Sequence, residues 1–326
     1  MVVSANLSSV NQSLSEEQQT QLFYKFCVYI VQGIVLSICN LLILSAIVSQ
    51  STLRKKKEYI LIASLGLVDG MHGLACLLAG LGRNWYILTG RASQLVSRWE
   101  CLWKPWNLIF VWTDPLTAVM LLIVSLDRLI AVSFPTKYFK FRIKYVCTIV
   151  GTPFLIWTCH IAVAVYLSAQ FREAEKPIIC FTSYSLQNSY YIYHTNVAIA
   201  AGVLSVLLYL LVIVIFKRNQ KIYPVTGGDS MLQRNVKVQR RLTLTLGISC
   251  MFTFALVVCP MLIKVLWFSI DKSTASTAFF IPYTFIINNL NPCFNVFIYA
   301  LRHNDLRIAL KCLITCKRYS LVMAQL

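Results

Sequence analysis

Seven apolar runs of about 23–27 residues dominate this chain and leave it few ways to fold. They cover residues 26–49, 59–81, 106–132, 145–169, 191–216, 242–268 and 277–301. A helix of about 20 apolar residues crosses the hydrocarbon of a bilayer, and buried helices of soluble proteins rarely run this long without a polar face. In hydrocarbon an unpaired backbone amide is too costly, so each run is expected to close its own hydrogen bonds as an α-helix. The first run begins too late, and is too long, for a cleavable leader. The expected architecture is an all-α membrane protein, a seven-transmembrane helix bundle with a short amphipathic eighth helix. It comprises an extracellular glycosylated tail over 1–25, the membrane domain over 26–301, and a cytoplasmic helix and tail over 302–326.

Charge then sets the direction of insertion. The 326 residues are 58% hydrophobic and only 13% charged, with 30 Lys and Arg against 12 Asp and Glu. A net +18 on one face of a soluble protein would suggest nucleic acid. Here about two-thirds of the Lys and Arg fall at Arg128, in the loops 50–58, 134–144 and 217–241, and in the tail from Arg302. By the positive-inside rule those segments are cytoplasmic, which puts the N-terminus outside and the C-terminus inside a multi-pass plasma-membrane protein. The charge orients the chain and faces anionic lipid and a cytosolic partner, with no role in nucleic-acid binding. The two N-x-Ser sequons, at Asn6 and Asn11, both fall in the segment placed outside.

Polar groups inside hydrocarbon are costly enough to mark function. Asn40, Asp69, Asp114 and Thr117 sit within the first three runs, and Asn288, Asn289, Asn291 and Asn295 within the seventh. Of these, 288, 291 and 295 share one helical face. A carboxylate such as Asp69 must be protonated, paired or hydrated. At the end of the third run stands Ser125-Leu126-Asp127-Arg128, followed by Pro135 and Tyr138. The sixth run carries Phe254 and Pro260, and the seventh ends Asn295-Val296-Phe297-Ile298-Tyr299.

In this order and spacing, with Asn40 and Asp69, these residues resemble the rhodopsin-like (class A) G-protein-coupled receptors over residues 24–316. The stretch from Ser125 to Pro135 is most similar to the nematode serpentine chemoreceptors. The resemblance implies a chemosensory receptor that binds an extracellular small molecule or peptide and activates a heterotrimeric G protein. It assigns coupling and switching to Asp127, Arg128, Phe254, Pro260, Asn295 and Tyr299. Asp69, Thr117, Asn291 and Asn295, with Asn40 nearby, align with positions that hold an allosteric sodium ion, or else form a hydrated polar network without one. No other cofactor or metal is implied. Cys101 and Cys180 resemble the family's loop disulfide. Ligand contacts are expected, by depth alone, from Trp106, Phe110, Asp114, Tyr193, Asn196, Met261 and Tyr283. Asp114 has a second reading as a structural partner of His72 or the seventh helix.

The departures carry expectations of their own. Lys237 to Arg241 offers no acid to lock Arg128, so the resting state falls to the neighbouring Asp127, with raised basal signalling. Val258 stands where the family has a tryptophan, and Pro292 replaces a proline at 296, moving the seventh-helix kink about one turn outward. Cys312 and Cys316 follow an apolar stripe of Leu306, Ala309, Leu310 and Leu313, which suits palmitoylation or an unmodified surface-lying helix. The four histidines have no metal-ligand spacing, and no nucleotide or nucleophile motif occurs, so no enzyme is expected. The seventh run lacks a lysine for a retinal Schiff base, and Lys264 in the sixth suits a snorkelling or mouth position. A neuropeptide or transmitter receptor is the alternative within the fold. A transporter or channel is the alternative outside it, favoured by repeats that are not visible here.

Overall fold

The computed structural model describes residues 16–222, 247–263 and 283–315. Asn6, Asn11, the Lys237 to Arg241 segment, Lys264 and Cys316 lie outside the described residues. The described part of each long apolar run is helical, as backbone desolvation demands. In chain order the helices are α1 (Glu16–Ser49), α2 (Ser51–Arg54), α3 (Lys57–Leu88), α4 (Arg98–Leu102), α5 (Pro105–Ser133), α6 (Pro135–Lys140), α7 (Ile143–Ser168), α8 (Thr182–Ser185) and α9 (Asn188–Ile222). They continue with α10 (Gly247–Ile263), a helical segment over 283–288, α11 (Leu290–Arg302) and α12 (Asn304–Thr315). Five of the described helices, namely α1, α3, α5, α7 and the Asn188–Arg218 part of α9, are long and apolar enough to cross a bilayer. The described parts of the sixth and seventh runs, α10 and 283–302, are helical too.

Two helices outrun the boundaries drawn from hydropathy. α1 starts at Glu16, so the last ten residues of the expected tail are helix. Glu16 and Glu17 occupy its first turn, where carboxylates complement the helix dipole. α3 runs on to Leu88 because nothing breaks it before Gly90, whose φ of 68° ends the helix. Gly90 N donates to Ile87 O (3.0 Å) and Arg91 N to Tyr86 O (2.9 Å), the paired bonds of a Schellman stop. The seventh helix is interrupted at Asn289, three residues before Pro292, which agrees with a kink moved outward from 296.

Glycines set how closely α1 and α3 pack. A Cβ on Gly73 would lie 2.6 Å from Leu36 Cβ and 2.8 Å from Ser37 N, and one on Gly33 would lie 2.8 Å from Gly73 O. Backbone therefore meets backbone, the close approach that small residues permit between membrane helices. Ile43, Leu65, Leu116, Met120, Trp157 and Tyr299 form the main core beside this seam. α12 lays Leu306 and Ala309 on the same core, with Leu310 and Leu313 partly buried, and Lys56 Nζ reaches Asp305 Oδ2 at 2.5 Å. Cys312 is buried as well. At the opposite end β1 (Leu95–Ser97) pairs antiparallel with β2 (Ala174–Pro177), in the register Leu95 to Pro177 and Val96 to Lys176.

Gly73→Leu is expected to unseat α1 from α3 and cost roughly 3 kcal/mol or more, beyond ordinary overpacking because backbone is struck. Gly151→Leu, where an added Cβ meets nothing within 4 Å, is expected to be neutral. Thermal unfolding of the two purified variants checks this.

Candidate functional site

The outer end is closed by chain held in a rare backbone conformation. Cys101 and Cys180 are joined by a disulfide. Cys180 has a φ of 48°, the left-handed region that side chains other than glycine seldom adopt. Its carbonyl is gripped from two helices: Arg83 Nη2 donates at 3.0 Å, Asn107 Nδ2 at 3.0 Å and Trp106 Nε1 at 3.5 Å. Arg83 Nε also donates to Ile179 O at 2.9 Å. The guanidinium lies 4.9 Å from the Phe181 ring centre and 5.4 Å from that of Phe26, which offsets part of the cost of burying it. A capping box starts α4, with Ser97 and Glu100 exchanging hydrogen bonds. The amide and hydroxyl of Ser97 hold the Glu100 carboxyl below its usual range. With a depressed pKa, that contribution is present at neutral pH and is lost as pH falls through the folded value.

Beneath this cap lies a cavity of about 230 Å³ between α3, α5, α9, α10 and the seventh helix. His72 is its hub. Nε2 lies 2.9 Å from Asn289 Oδ1, and Nδ1 lies 3.1 Å from Thr113 Oγ1. Asp114 Oδ1 is 3.3 Å from the same Nδ1 but lacks hydrogen-bond alignment with it. Asn289 Nδ2 reaches on to Gln32 Oε1 at 3.4 Å, so four helices meet at one imidazole. The structure thus supplies the pairing with His72 that was one of the two readings of Asp114, while Asp114 also lines the cavity.

Of the expected ligand contacts, Phe110, Asp114 and Met261 line the cavity, whereas Trp106, Tyr193, Asn196 and Tyr283 do not. The reason is helical phase. α9 presents Tyr191, His194, Thr195, Ala198 and Gly202, spaced by three and four residues. Tyr193 and Asn196 fall between these and are exposed, with Tyr193 stacked on His160 of α7. Trp106 packs over Gly82, and Lys25 lies 4.8 Å over the Tyr283 ring at the rim. Depth alone gave no phase; the 191, 194, 195, 198, 202 spacing would have.

Two cavity residues also repair prolines. Pro115 cannot donate to Val111 O, and His194 Nε2 stands 3.1 Å from that carbonyl. Pro260 likewise frees Leu256 O, and α10 widens into a π-helical turn over Phe254–Val258. With its amide turned so that nitrogen donates, Asn288 reaches Leu256 O at 2.8 Å and Thr284 O at 3.2 Å. The π turn also shifts helical phase. Phe254 is therefore 42% exposed, which corrects its expected place in the interior switch. Thr253 takes the inward position instead.

Below the cavity, α10 and α11 are laced by an i, i+4 ladder. Thr253 Oγ1 donates to Asn291 Oδ1 at 3.2 Å, and Ser249 Oγ donates to Asn295 Oδ1. Asp69 and Thr117 are neighbours, and Asp69 Oδ1 and Thr117 Oγ1 are buried without hydrogen-bond partners. Oxygens of this kind suit a hard cation, although the Asn291 and Asn295 oxygens are already engaged by helix hydroxyls. Asn40 stands apart from the set expected for it: its Nδ2 donates back to Leu36 O at 3.0 Å, and no hydrogen bond links it to Asp69 among the described residues.

At the far end of α5, Arg128 and Asp127 are both buried and hydrogen-bonded to each other. Tyr138 of α6 completes a triangle, accepting from Arg128 Nη2 at 2.9 Å and donating to Asp127 Oδ2 at 3.1 Å. Burial holds the Tyr138 hydroxyl well above the ordinary phenol range, so it stays protonated and able to donate. Lys57 Nζ clamps it from above, 3.9 Å from the ring centre and 2.8 Å from Tyr138 O. Arg128 Nη1 has no hydrogen-bond partner among the described residues. Tyr299 is buried nearby in the main core.

A family model described as serpentine type 7TM GPCR chemoreceptor Srsx matches residues 33–314. A search of curated proteins found no match.

Asn288→Ala would leave Leu256 O without a donor and is expected to cost about 1–3 kcal/mol. Pro260→Ala restores a backbone N–H to that carbonyl. A double-mutant cycle by thermal unfolding should therefore show the Asn288→Ala penalty largely gone in the Pro260→Ala background.

Proposed function

Because the chain belongs to the Srsx family of serpentine 7TM chemoreceptors, we propose that its cavity senses a small extracellular ligand and transmits occupancy through two proline-freed carbonyls. The protein is a chemosensory G-protein-coupled receptor and a multi-pass membrane protein, with a ligand and a G protein as partners in general terms. Its family is one of receptors rather than enzymes.

One observation carries the mechanism: His194 and Asn288 both line the cavity and both cap a carbonyl at a proline. A ligand that competes for the Asn288 amide frees Leu256 O, and α10 then bends more easily at Pro260. Bending pulls Ser249 and Thr253 away from Asn295 and Asn291. Arg128 can then exchange Asp127 and Tyr138 for a partner on the G protein, with Tyr299 moving into the space that opens. Nucleotide exchange takes place in that partner, and the receptor performs no covalent chemistry of its own. In the resting bundle Asp69 Oδ1 and Thr117 Oγ1 would hold a sodium ion. The ligand enters at the disulfide end, taken as extracellular in the plasma membrane, and Arg128 faces the cytosol. The cavity's small volume, with polar groups such as Asp114, Thr195 and Asn288 beside Phe110, Phe181 and Phe285, suits a small, partly polar organic molecule rather than a long peptide.

Ligand-screened G-protein activation in transfected cells tests this reading. Arg128→Ala is expected to abolish activation while surface expression persists. Asn288→Leu, which vacates the hinge carbonyl, should raise basal activity about fivefold or more. Ligand-driven ion flux with no G-protein activation would defeat the proposal.

A further inference from the structure

The inner end of the molecule carries a second recess, an open cleft of about 530 Å³ between the α2–α3 turn and the α6–α7 turn. Lys55, Lys56, Lys57, Arg142 and Lys144 line it, and Glu58 is its one carboxylate. Two of these cations are committed: Lys56 to Asp305 and Lys57 to the Tyr138 carbonyl. They brace the cleft against α12 and α6. Lys55, Arg142 and Lys144 are exposed and have no acid partner among the described residues. Three free cations held this close repel one another and call for an anion of more than one charge.

Position chooses the kind of anion. The cleft lies where two membrane helices begin, α3 at Lys57 and α7 at Ile143, so it stands at the headgroup level of the bilayer. Two of its lining side chains are apolar and exposed, Phe141 at 37% and Ile143 at 40%. They continue into α7, the least buried of the five long spans, whose Leu155 and Ile156 point outward. Cations beside an outward apolar helix match an amphiphile with a charged head and acyl chains, and the positively charged loops lie on the leaflet where anionic lipids concentrate. A soluble protein partner would meet the charges without needing the apolar wall.

We propose that this cleft is a headgroup site for a membrane phospholipid bearing more than one phosphate, with its acyl chains against α7. Lys55, Arg142 and Lys144 pair with the phosphates, and Arg142 adds the planar fork suited to phosphate oxygens. The proposal rests on the membrane orientation given above, and not on the cavity ligand or on G-protein activation.

The full-length receptor in phosphatidylcholine nanodiscs, with and without phosphatidylinositol bisphosphate, provides the test, with retained lipid read by native mass spectrometry. Wild type should retain the phosphoinositide in preference to phosphatidylserine. The Lys55→Gln, Arg142→Gln, Lys144→Gln triple variant should bind it roughly 100-fold more weakly, the effect of three interfacial cations. Lys137→Gln with Lys140→Gln, outside the cleft, should leave retention unchanged. Equal retention by wild type and the triple variant would overturn the site, and so would equal loss in both variants. Tight binding of soluble inositol trisphosphate with no added grip on the lipid would overturn the lipid assignment. Phosphoinositide retention by the triple variant equal to wild type, together with loss of its G-protein activation, would assign the cleft to a protein partner instead. Since retention is read without ligand or G protein, failure here leaves the receptor reading untouched.

Discussion

Every polar group that this chain carries into hydrocarbon must find its partner inside the bundle, and most of the interior follows from that constraint. Each long run becomes a helix because only a helix pairs all of its own amides. Where a proline breaks the pattern, a side chain from a neighbouring helix supplies the lost donor: His194 for Val111 O and Asn288 for Leu256 O. Where an imidazole is buried, α3, α5 and the seventh helix converge on it through Thr113, Asp114 and Asn289. Repairs of this kind cross between helices. They bind the bundle together and also make it responsive, since a molecule that takes over one partner changes a neighbouring helix.

The two ends of the bundle solve different problems. At the outer end a disulfide, a short antiparallel pair and a buried guanidinium hold the Cys180 carbonyl over the cavity. Arg83 and the chain after Cys180, Phe181 to Ser183, line the cavity on that side. At the other end, among the described residues, Arg128 is satisfied only by its sequence neighbour Asp127 and by Tyr138 from the next short helix. No acid from α10 holds it among the described residues. A local lock of this kind can open without rupturing an interhelical ion pair. Among the described residues, Nη1 of Arg128 and Oδ1 of Asp127 are buried without a hydrogen-bond partner.

Much of the site was legible along the chain, but unevenly. Asp69, Thr117, Asn291 and Asn295 announced themselves because polar residues are rare inside apolar runs, and they are buried or half-buried within the bundle. Asn291 and Asn295 share one helical face, but linear order does not show that Thr253 and Ser249 bond to them. The ligand face was read poorly. Depth along a span sets how far a residue lies from the membrane surface, but inward or outward depends on phase, and both Tyr193 and Asn196 turned out to be exposed. Phe254 failed for a related reason: the π turn rotates everything before Pro260 relative to a plain α-helix. Nothing in linear order marks Arg83, since only the fold brings the Ile179 and Cys180 carbonyls back onto it.

By itself the sequence determined the apolar runs of a seven-helix membrane bundle and the short motifs that mark the receptor family, because hydropathy and spacing are properties of linear order. Only the tertiary structure decided which carbonyl each polar side chain repairs, which face of α9 meets the cavity, and that Asn40 turns back to its own helix. Those outcomes depend on helix rotation and on contacts between residues far apart in the chain. Proline shows the division most plainly: the chain states where a hydrogen bond is lost, and the fold alone states what replaces it.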